Sequence, residues 1–157
     1  LERTLVLKGP ISIGSGTVLC SGSYLEGPIS IGDNCIIGPN SYIGNSVSIG
    51  DNTRIGAFSE IKDSIIMSDS VIGSYNSLVG TVVGNGTEFG TNVVANPSNR
   101  KVTYLDHTIS LSERGAMVGN RCVIGNRAVL AGGSILLEGA TIGEGEVYNA
   151  DFQGDTI

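Results

Sequence analysis

An aliphatic side chain stands at every sixth position in the first 61 residues of this chain. The series is Leu1, Leu7, Ile13, Leu19, Leu25, Ile31, Ile37, Ile43, Ile49, Ile55 and Ile61. On an α-helix, six residues correspond to a rotation of about 600°, so the series would be spread over three faces. On extended backbone, six is a multiple of the two-residue period, so every member points to the same side. The sequence therefore predicts an all-β chain coiled around one apolar core, a β-helix of hexapeptide repeats.

Two further positions of the repeat have their own residue preferences. Glycine often follows the aliphatic residue, at Gly14, Gly32, Gly38, Gly44, Gly50, Gly56, Gly119, Gly125 and Gly143. We expect these glycines to adopt positive φ and so to turn the chain at each corner. Two residues before the aliphatic position the side chains are small or β-branched, and we expect them to point inward as well. They are Thr17, Ser23, Ile29, Cys35, Ser41, Val47, Thr53 and Ser59.

The repeat slips after Ile61 and is interrupted near residue 96. It returns as Val118, Ile124, Leu130, Leu136 and Ile142. We therefore predict one domain, with coils at about 1–95 and 118–148 and an inserted loop at about 96–117. Solenoids accept such insertions as surface loops, and these loops often carry the binding chemistry. A purely decorative loop is the alternative.

Basic residues are concentrated in and after the predicted loop, although the whole chain has a net charge of −6. Five of the nine lie between positions 100 and 127: Arg100, Lys101, Arg114, Arg121 and Arg127. This local excess of positive charge indicates an anion site, with ordinary solvated turns as the alternative. The overall negative charge argues against a nucleic-acid partner.

Several other classes of protein are not expected. The sequence has neither a long apolar run nor a signal peptide, so we expect no membrane partner. Cys35 and Cys122 stand at inward positions and Cys20 at a corner, which favours free thiols and the cytoplasm over a disulfide framework. With a single histidine, His107, the chain lacks the ligands of a β-helical zinc carbonic anhydrase, and we expect no metal site.

Three segments together resemble a known family. They are SGSYLEGPISIGDNCIIGPNSYIG (21–44), IGAFSEIKDSIIM (55–67) and VGNGTEFGTNVVAN (83–96), the last followed by the basic loop. They resemble the C-terminal domain of archaeal-type bifunctional sugar-1-phosphate nucleotidylyltransferase/amino-sugar-1-phosphate N-acetyltransferases. This resemblance implies a left-handed parallel β-helix, a homotrimer, acetyl-CoA as cofactor and a sugar 1-phosphate as substrate. It also implies a nucleotidylyltransferase domain before Leu1 and a role in nucleotide-sugar biosynthesis.

The resemblance also suggests site residues. It implies that Lys62 and Lys101 contact the sugar phosphate and that Asn96 lies near the acetyl group. For the coenzyme phosphates, the candidates are Asn120, Arg121 and Arg127, which belong to the basic region.

Two residues that the resemblance leads us to expect are missing. The family's catalytic histidine would fall near Ser74, and its substrate-binding arginine would fall at Gly44. Acetyl transfer to an amine needs a base near neutral pH, and a lone serine cannot serve as one. His107 is the candidate catalytic residue, with Asp106 or Glu113 to orient it. Two functions therefore remain open: an acyl-CoA-dependent acetyltransferase, or a catalytically inactive β-helix that trimerises and regulates a nucleotidylyltransferase.

Overall fold

A computed structural model describes the backbone of residues 5–104 and 107–149 and the side chains of residues 5–98 and 114–149. These residues form 24 short β-strands joined by turns. No helix in the described ranges is long and apolar enough to cross a membrane.

Apart from one hairpin, successive strands lie on three parallel sheets in rotation. Sheet 1 contains β1 (Val6–Lys8), β4 (Tyr24–Glu26), β7 (Tyr42–Gly44), β10 (Glu60–Lys62), β13 (Ser77–Val79), β16 (Val94–Ala95), β21 (Val129–Leu130) and β24 (Val147–Tyr148). Sheet 2 contains β2 (Ile11–Ile13), β5 (Ile29–Ile31), β8 (Val47–Ile49), β11 (Ile65–Ile66), β14 (Val82–Val83), β19 (Met117–Val118) and β22 (Ile135–Leu136). Sheet 3 contains β3 (Val18–Leu19), β6 (Ile36–Ile37), β9 (Arg54–Ile55), β12 (Val71–Ile72), β15 (Glu88–Phe89), β20 (Val123–Ile124) and β23 (Thr141–Ile142).

The chain therefore passes around a three-sided coil. We call its corners 1–2, 2–3 and 3–1, after the sheets that each one joins. On sheet 1, Ile43 pairs with Leu25 on one side and with Ile61 on the other, and all three side chains are completely buried. The predicted fold, a left-handed parallel β-helix with its aliphatic series in one core and one long insertion, is confirmed.

The small residues two positions before the aliphatic ones also point inward, as predicted. Ser23, Ser41 and Thr53 are buried, and Cys35 and Cys122 are buried free thiols. Their polar atoms bond to the backbone of neighbouring coils; the Ser23 hydroxyl, for example, donates to the Gly38 carbonyl at 2.8 Å. The interior thus accepts a hydroxyl wherever a turn carbonyl lies within reach.

The conformation expected for the glycines after the aliphatic residues is wrong. Positive φ occurs two residues later, for example at Asn34 (55°) and Asn52 (57°). Gly56 is needed for a different reason, because a β-carbon there would lie only 2.5 Å from the backbone nitrogen of Ser74. These glycines therefore allow the backbones of adjacent coils to approach closely.

Every departure from the six-residue spacing occurs at corner 1–2. Ile61 and Ile66 are five residues apart across this corner, and so are Leu78 and Val83. Ala95 and Val118 are 23 residues apart across it. The slips and the insertion that interrupt the sequence repeat therefore share one edge of the molecule.

The insertion forms an antiparallel hairpin of β17 (Ser98–Tyr104) and β18 (His107–Arg114). At its base, the Ser98 hydroxyl donates to the Gly132 carbonyl at 3.4 Å, and the Gly115 N–H donates to the Gly80 carbonyl at 3.0 Å. The hairpin therefore leaves the stack at corner 1–2, beside sheet 1. The side chains of Lys101, His107 and Glu113 and the whole of Asp106 lie outside the described residues.

Candidate functional site

The outer surface of sheet 1 carries a charged and aromatic strip. Because side chains alternate across a strand, the residues on either side of each inward aliphatic point outward. They form two columns along the stack: Tyr24, Tyr42, Glu60 and Ser77 in one, and Lys8, Glu26, Gly44, Lys62 and Val79 in the other. We call this surface the polar face.

Lys62 is the central cation of the polar face. Its ammonium group forms an ion pair with Glu60 on the same strand. It also lies 5.1 Å from the centroid of the Tyr42 ring, within range of a cation–π interaction. The hydrogen bond with Glu60 raises the pKa of Lys62 above its ordinary value of 10.5. Lys62 is therefore a protonated, half-buried cation, which suits the binding of an anion.

A second group of contacts surrounds the Tyr42 ring, which lies beneath the Lys62 ammonium group. The Tyr42 hydroxyl donates to Glu26 at 3.2 Å, and Glu26 accepts a hydrogen bond from Lys8 at 2.7 Å. The Tyr42 ring stacks on Tyr24 with centroids 5.5 Å apart. Burial, followed by the hydrogen bond to Glu26, raises the pKa of Tyr42 above its ordinary value of 10.0. These contacts hold the Tyr42 ring in place beneath Lys62.

Asn96 lies on the same face as Lys62, although the two are 34 residues apart in the sequence. The Ser77 hydroxyl lies 3.0 Å from Asn96 Oδ1 and 3.4 Å from Glu60 Oε2, and donates to one of them at a time. Lys62, Glu60, Ser77 and Asn96 therefore form one continuous polar array. The fold thus brings together two of the residues proposed for substrate binding.

A cavity of about 450 Å³ lies where the polar face reaches corner 1–2. Its walls include Asp63, Val79, Gly80 and Pro97. Val79 pairs directly with Lys62 across the sheet, and Pro97 immediately precedes the hairpin. The polar face therefore opens into a recess at the base of the hairpin, and its size is within the range of small-molecule sites.

A second, more open cavity of about 650 Å³ lies on sheet 2. Among the residues that the structure describes, its lining includes Pro28, Ser30, Ser48 and Ile65 and contains no charged side chain. Because charged donors make the strongest hydrogen bonds to phosphate and the described lining residues of this cavity include none, we place the candidate site on sheet 1.

Ser74, at the expected position of the catalytic histidine, has a structural role at corner 3–1. Its hydroxyl oxygen accepts the Ala57 N–H of the preceding coil at 3.1 Å. The side chain of Asn126 makes the equivalent bond at this corner, accepting the Thr91 N–H at 2.8 Å. The Ser74 hydroxyl thus helps to join adjacent coils.

The residues proposed for the coenzyme lie at two different corners. The Asn120 side chain at corner 2–3 accepts the Asn85 N–H at 2.9 Å, and Arg121 beside it forms an exposed ion pair with Glu138. Arg127 lies at corner 3–1, where it pairs with Glu144 at 2.5 Å. Of these residues only Arg127 therefore borders sheet 1, because corner 2–3 lies on the far side of the coil from that sheet.

Sequence reasoning did not single out the aromatic side chains of corner 3–1. Phe58 and Tyr75 are more than half exposed and stack with ring centroids 5.2 Å apart. Both have positive φ, at 55° and 61°. The signal in the sequence is an alignment of the repeats by their corners: Phe58 and Tyr75 take the position that Asn40 and Asn92 occupy in neighbouring coils.

Comparison with known proteins supports the assignment of the fold. Residues 28–63 match the family model for the bacterial transferase hexapeptide, six repeats. This match spans β5 to β10 and includes Tyr42, Glu60 and Lys62. No curated protein matches the chain.

Several solved structures are similar to the chain at low sequence identity. One is a serine-to-cysteine mutant of AntD, an N-acyltransferase from Bacillus cereus, in complex with dTDP-4-amino-4,6-dideoxyglucose and coenzyme A. It is 16% identical to this chain with a TM-score of 0.51, and the match covers 89% of this chain and 73% of that one. The acetyltransferase domain of PglB from Neisseria gonorrhoeae is 14% identical with a TM-score of 0.46, over 90% of this chain and 55% of that one. A histidine-to-asparagine mutant of perosamine N-acetyltransferase from Caulobacter crescentus, in complex with CoA and GDP-perosamine, is also 14% identical, with a TM-score of 0.46 over 87% and 50%.

The chain spans only about half the length of the last two proteins. Together with the repeat match, the similarity to the Bacillus cereus structure identifies the architecture as the hexapeptide-repeat β-helix.

Proposed function

We propose that this chain is an acyl-CoA-dependent acyltransferase domain that acts on a sugar phosphate. The observation that carries this proposal is the array of Lys62, Glu60, Ser77 and Asn96 on one face, next to a recess of about 450 Å³. The ammonium group of Lys62 binds the phosphate, since charge-assisted hydrogen bonds to phosphate are among the strongest polar contacts. The recess receives the sugar.

The acyl donor in this proposal is acetyl-CoA. The Bacillus cereus N-acyltransferase, which is similar in fold, was crystallised with coenzyme A and an amino-sugar nucleotide. We assign the binding of the coenzyme phosphates to three residues of this chain, Asn120, Arg121 and Arg127. Because these residues occupy different corners, one coenzyme would touch Arg127 of one copy and Arg121 of another, as in the homotrimer that we propose.

The transfer itself needs a base. The acceptor amine or hydroxyl attacks the thioester carbonyl, the bond between that carbon and sulfur breaks, and coenzyme A leaves as the thiol. His107 is the one side chain in the sequence whose ordinary pKa suits the uptake of the acceptor's proton near pH 7. Lys101, on the opposite hairpin strand, would add a second cation for the phosphate.

The wider setting belongs to the same proposal. We infer a cytoplasmic homotrimer whose β-helix is joined to a sugar-1-phosphate nucleotidylyltransferase domain, in nucleotide-sugar biosynthesis. The support for this setting is the resemblance of residues 21–44, 55–67 and 83–96 to that family.

A thiol-release assay with acetyl-CoA and glucosamine 1-phosphate tests the activity. We expect turnover by the parent protein and a loss of about 10²- to 10⁴-fold in His107→Ala, the usual contribution of a general base. Turnover that survives this substitution would reject His107 as the base. If the parent protein, titrated in parallel, neither turns over nor binds either substrate, the acyltransferase proposal is wrong.

One observation favours the second function, a catalytically inactive module that trimerises and regulates a nucleotidylyltransferase. Ser74 replaces the expected histidine, and its hydroxyl is engaged in joining two coils. In that case the oligomer forms and sugar phosphate binds, but no thiol is released. Size-exclusion chromatography with light scattering, combined with the assay above, distinguishes the two functions.

A further inference from the structure

Corner 3–1 contains one backbone position that repeats in every coil. From Asn40 onward, the N–H of each residue in this series donates to a carbonyl of the coil before it, so the residues lie above one another. They are Gly22, Asn40, Phe58, Tyr75, Asn92, Arg127 and Gly145, and all have positive φ. Glycine and asparagine tolerate this conformation easily, whereas bulky side chains do not. The need to turn the chain therefore does not explain Phe58 and Tyr75.

The two rings lie nearly parallel, with an interplanar angle of 7°. Phe58 covers one face of Tyr75, and the other face is turned toward the next residues of the series, Asn92 and then Arg127. Tyr75 is 57% exposed, the more exposed of the two rings. The stack thus ends in an open aromatic face.

Next to the open face of Tyr75 there is a gap the height of one coil. Tyr75 and Arg127 are separated by two strand spacings, about 9.6 Å, and only the shorter Asn92 lies between them. The Asn92 side chain is exposed and makes no hydrogen bond within the part of the chain that the structure describes. Planar rings stack at centroid distances of about 4.5–7 Å, so the gap accepts one planar group.

Arg127 closes the gap on the opposite side from Tyr75. Its partner Glu144 lies in the following coil, and both side chains are about two-thirds exposed. Such a pair is weak, so the guanidinium can turn toward the gap at little cost. A guanidinium plane stacks on aromatic faces, which a lysine ammonium group does not do.

We infer that Tyr75, Asn92 and Arg127 form a stacking site for the planar heteroaromatic base of a nucleotide. The base lies on the free face of Tyr75, the Arg127 guanidinium covers its other side, and the Asn92 amide bonds to its edge. The site borders the polar face, because Ser77 begins β13 only two residues after Tyr75. This inference rests on the proposed function for the source of the base, which is either the adenine of acyl-CoA or the base of a sugar nucleotide.

Calorimetric titration with three probes tests the site: coenzyme A, phosphopantetheine, which lacks the base, and dTDP. In Tyr75→Asn we expect the affinity for the base-containing probe to fall about tenfold or more, while phosphopantetheine binding stays unchanged. Loss for coenzyme A assigns the site to adenine, and loss for dTDP assigns it to a sugar nucleotide. Arg127→Lys, which keeps the charge but not the plane, should weaken the same probe several-fold.

Phe58→Asn is the matched control. It breaks the same stack and relieves the same backbone strain, but it leaves the face of Tyr75 next to Asn92 in place. We expect a change in affinity of at most about threefold and an unchanged fold by circular dichroism.

Three results would overturn the inference. One is unchanged affinity in Tyr75→Asn together with a lower melting temperature, which would make the rings purely structural. Another is an equal loss of affinity in Phe58→Asn, and the third is a parent protein that binds neither base-containing probe. Phosphopantetheine binding by the parent protein would leave the proposed function standing in each case.

Discussion

Tyr42 occupies the space that a side chain at Gly44 would need. A β-carbon at Gly44 would lie 2.6 Å from the Tyr42 hydroxyl oxygen and 2.8 Å from its Cζ. The sequence resemblance leads us to expect an arginine here, but this chain has a tyrosine ring folded over a glycine, with its hydroxyl on Glu26. Lys62 pairs with Gly44 on the next strand and lies over the same ring. In this chain, therefore, the cation of the polar face comes from the neighbouring coil.

We predict that Gly44→Ala lowers the pKa of Tyr42 toward its ordinary value. The added methyl group displaces the ring, which exposes the hydroxyl and breaks its bond to Glu26, the two main causes of the raised pKa. In the parent protein the folded state keeps this proton longer than the unfolded state does, so its contribution to stability is lost as the pH rises above about 10. A pH titration of tyrosine absorbance measures the shift, and Tyr42→Phe identifies the group. An unchanged titration in Gly44→Ala would contradict the coupling.

The role of Lys62 can be separated from general surface charge. We expect Lys62→Gln to weaken the binding of glucosamine 1-phosphate about tenfold in calorimetry, because a charge-assisted hydrogen bond to the phosphate is removed. Lys8→Gln is the matched control, since Lys8 lies in the same column and pairs with Glu26 at 2.7 Å. Equal losses in the two variants would mean that the phosphate responds only to net charge.

Ile49→Asp should unfold the stack. Ile49 is 2% exposed, and an unpaired carboxylate in that narrow interior costs on the order of several kcal/mol, a large part of a domain's stability. Ser48→Asp places the same charge one residue earlier, on the exposed face of the same strand, and should change the melting temperature little. Circular dichroism melts compare the two, and a folded Ile49→Asp would contradict the inward assignment.

Deleting residues 97–114 should leave the coils folded. The deletion joins Asn96 directly to Gly115, so that Ala95 and Val118 become five residues apart. This is the spacing of Leu78 and Val83 across the same corner, and Gly115 takes the place that Gly80 has there. Glycine can adopt the φ of 62° seen at Gly80. We expect the parent's cooperative melting and β-type circular dichroism, together with loss of any activity that depends on His107. Aggregation or loss of the cooperative transition would show that the hairpin is part of the core.

The sequence alone determined the architecture. Eleven aliphatic residues in strict register fit only extended backbone with one buried side, so the core, the inward small residues and the insertion could all be predicted. The reason is that each coil of a solenoid contacts only its neighbours, so that a local repeat specifies the whole fold.

Only the tertiary structure decided which side chains share a surface. The sequence did not show that Lys62 and Asn96 lie on one face, or that Arg121 and Arg127 occupy different corners. It also gave the wrong reason for the glycines, since the close approach of Gly56 to Ser74 is a contact between coils. Lateral positions depend on how many residues each corner uses, and corner 1–2 uses varying numbers. Which residues of adjacent coils lie side by side is therefore known only from the three-dimensional structure.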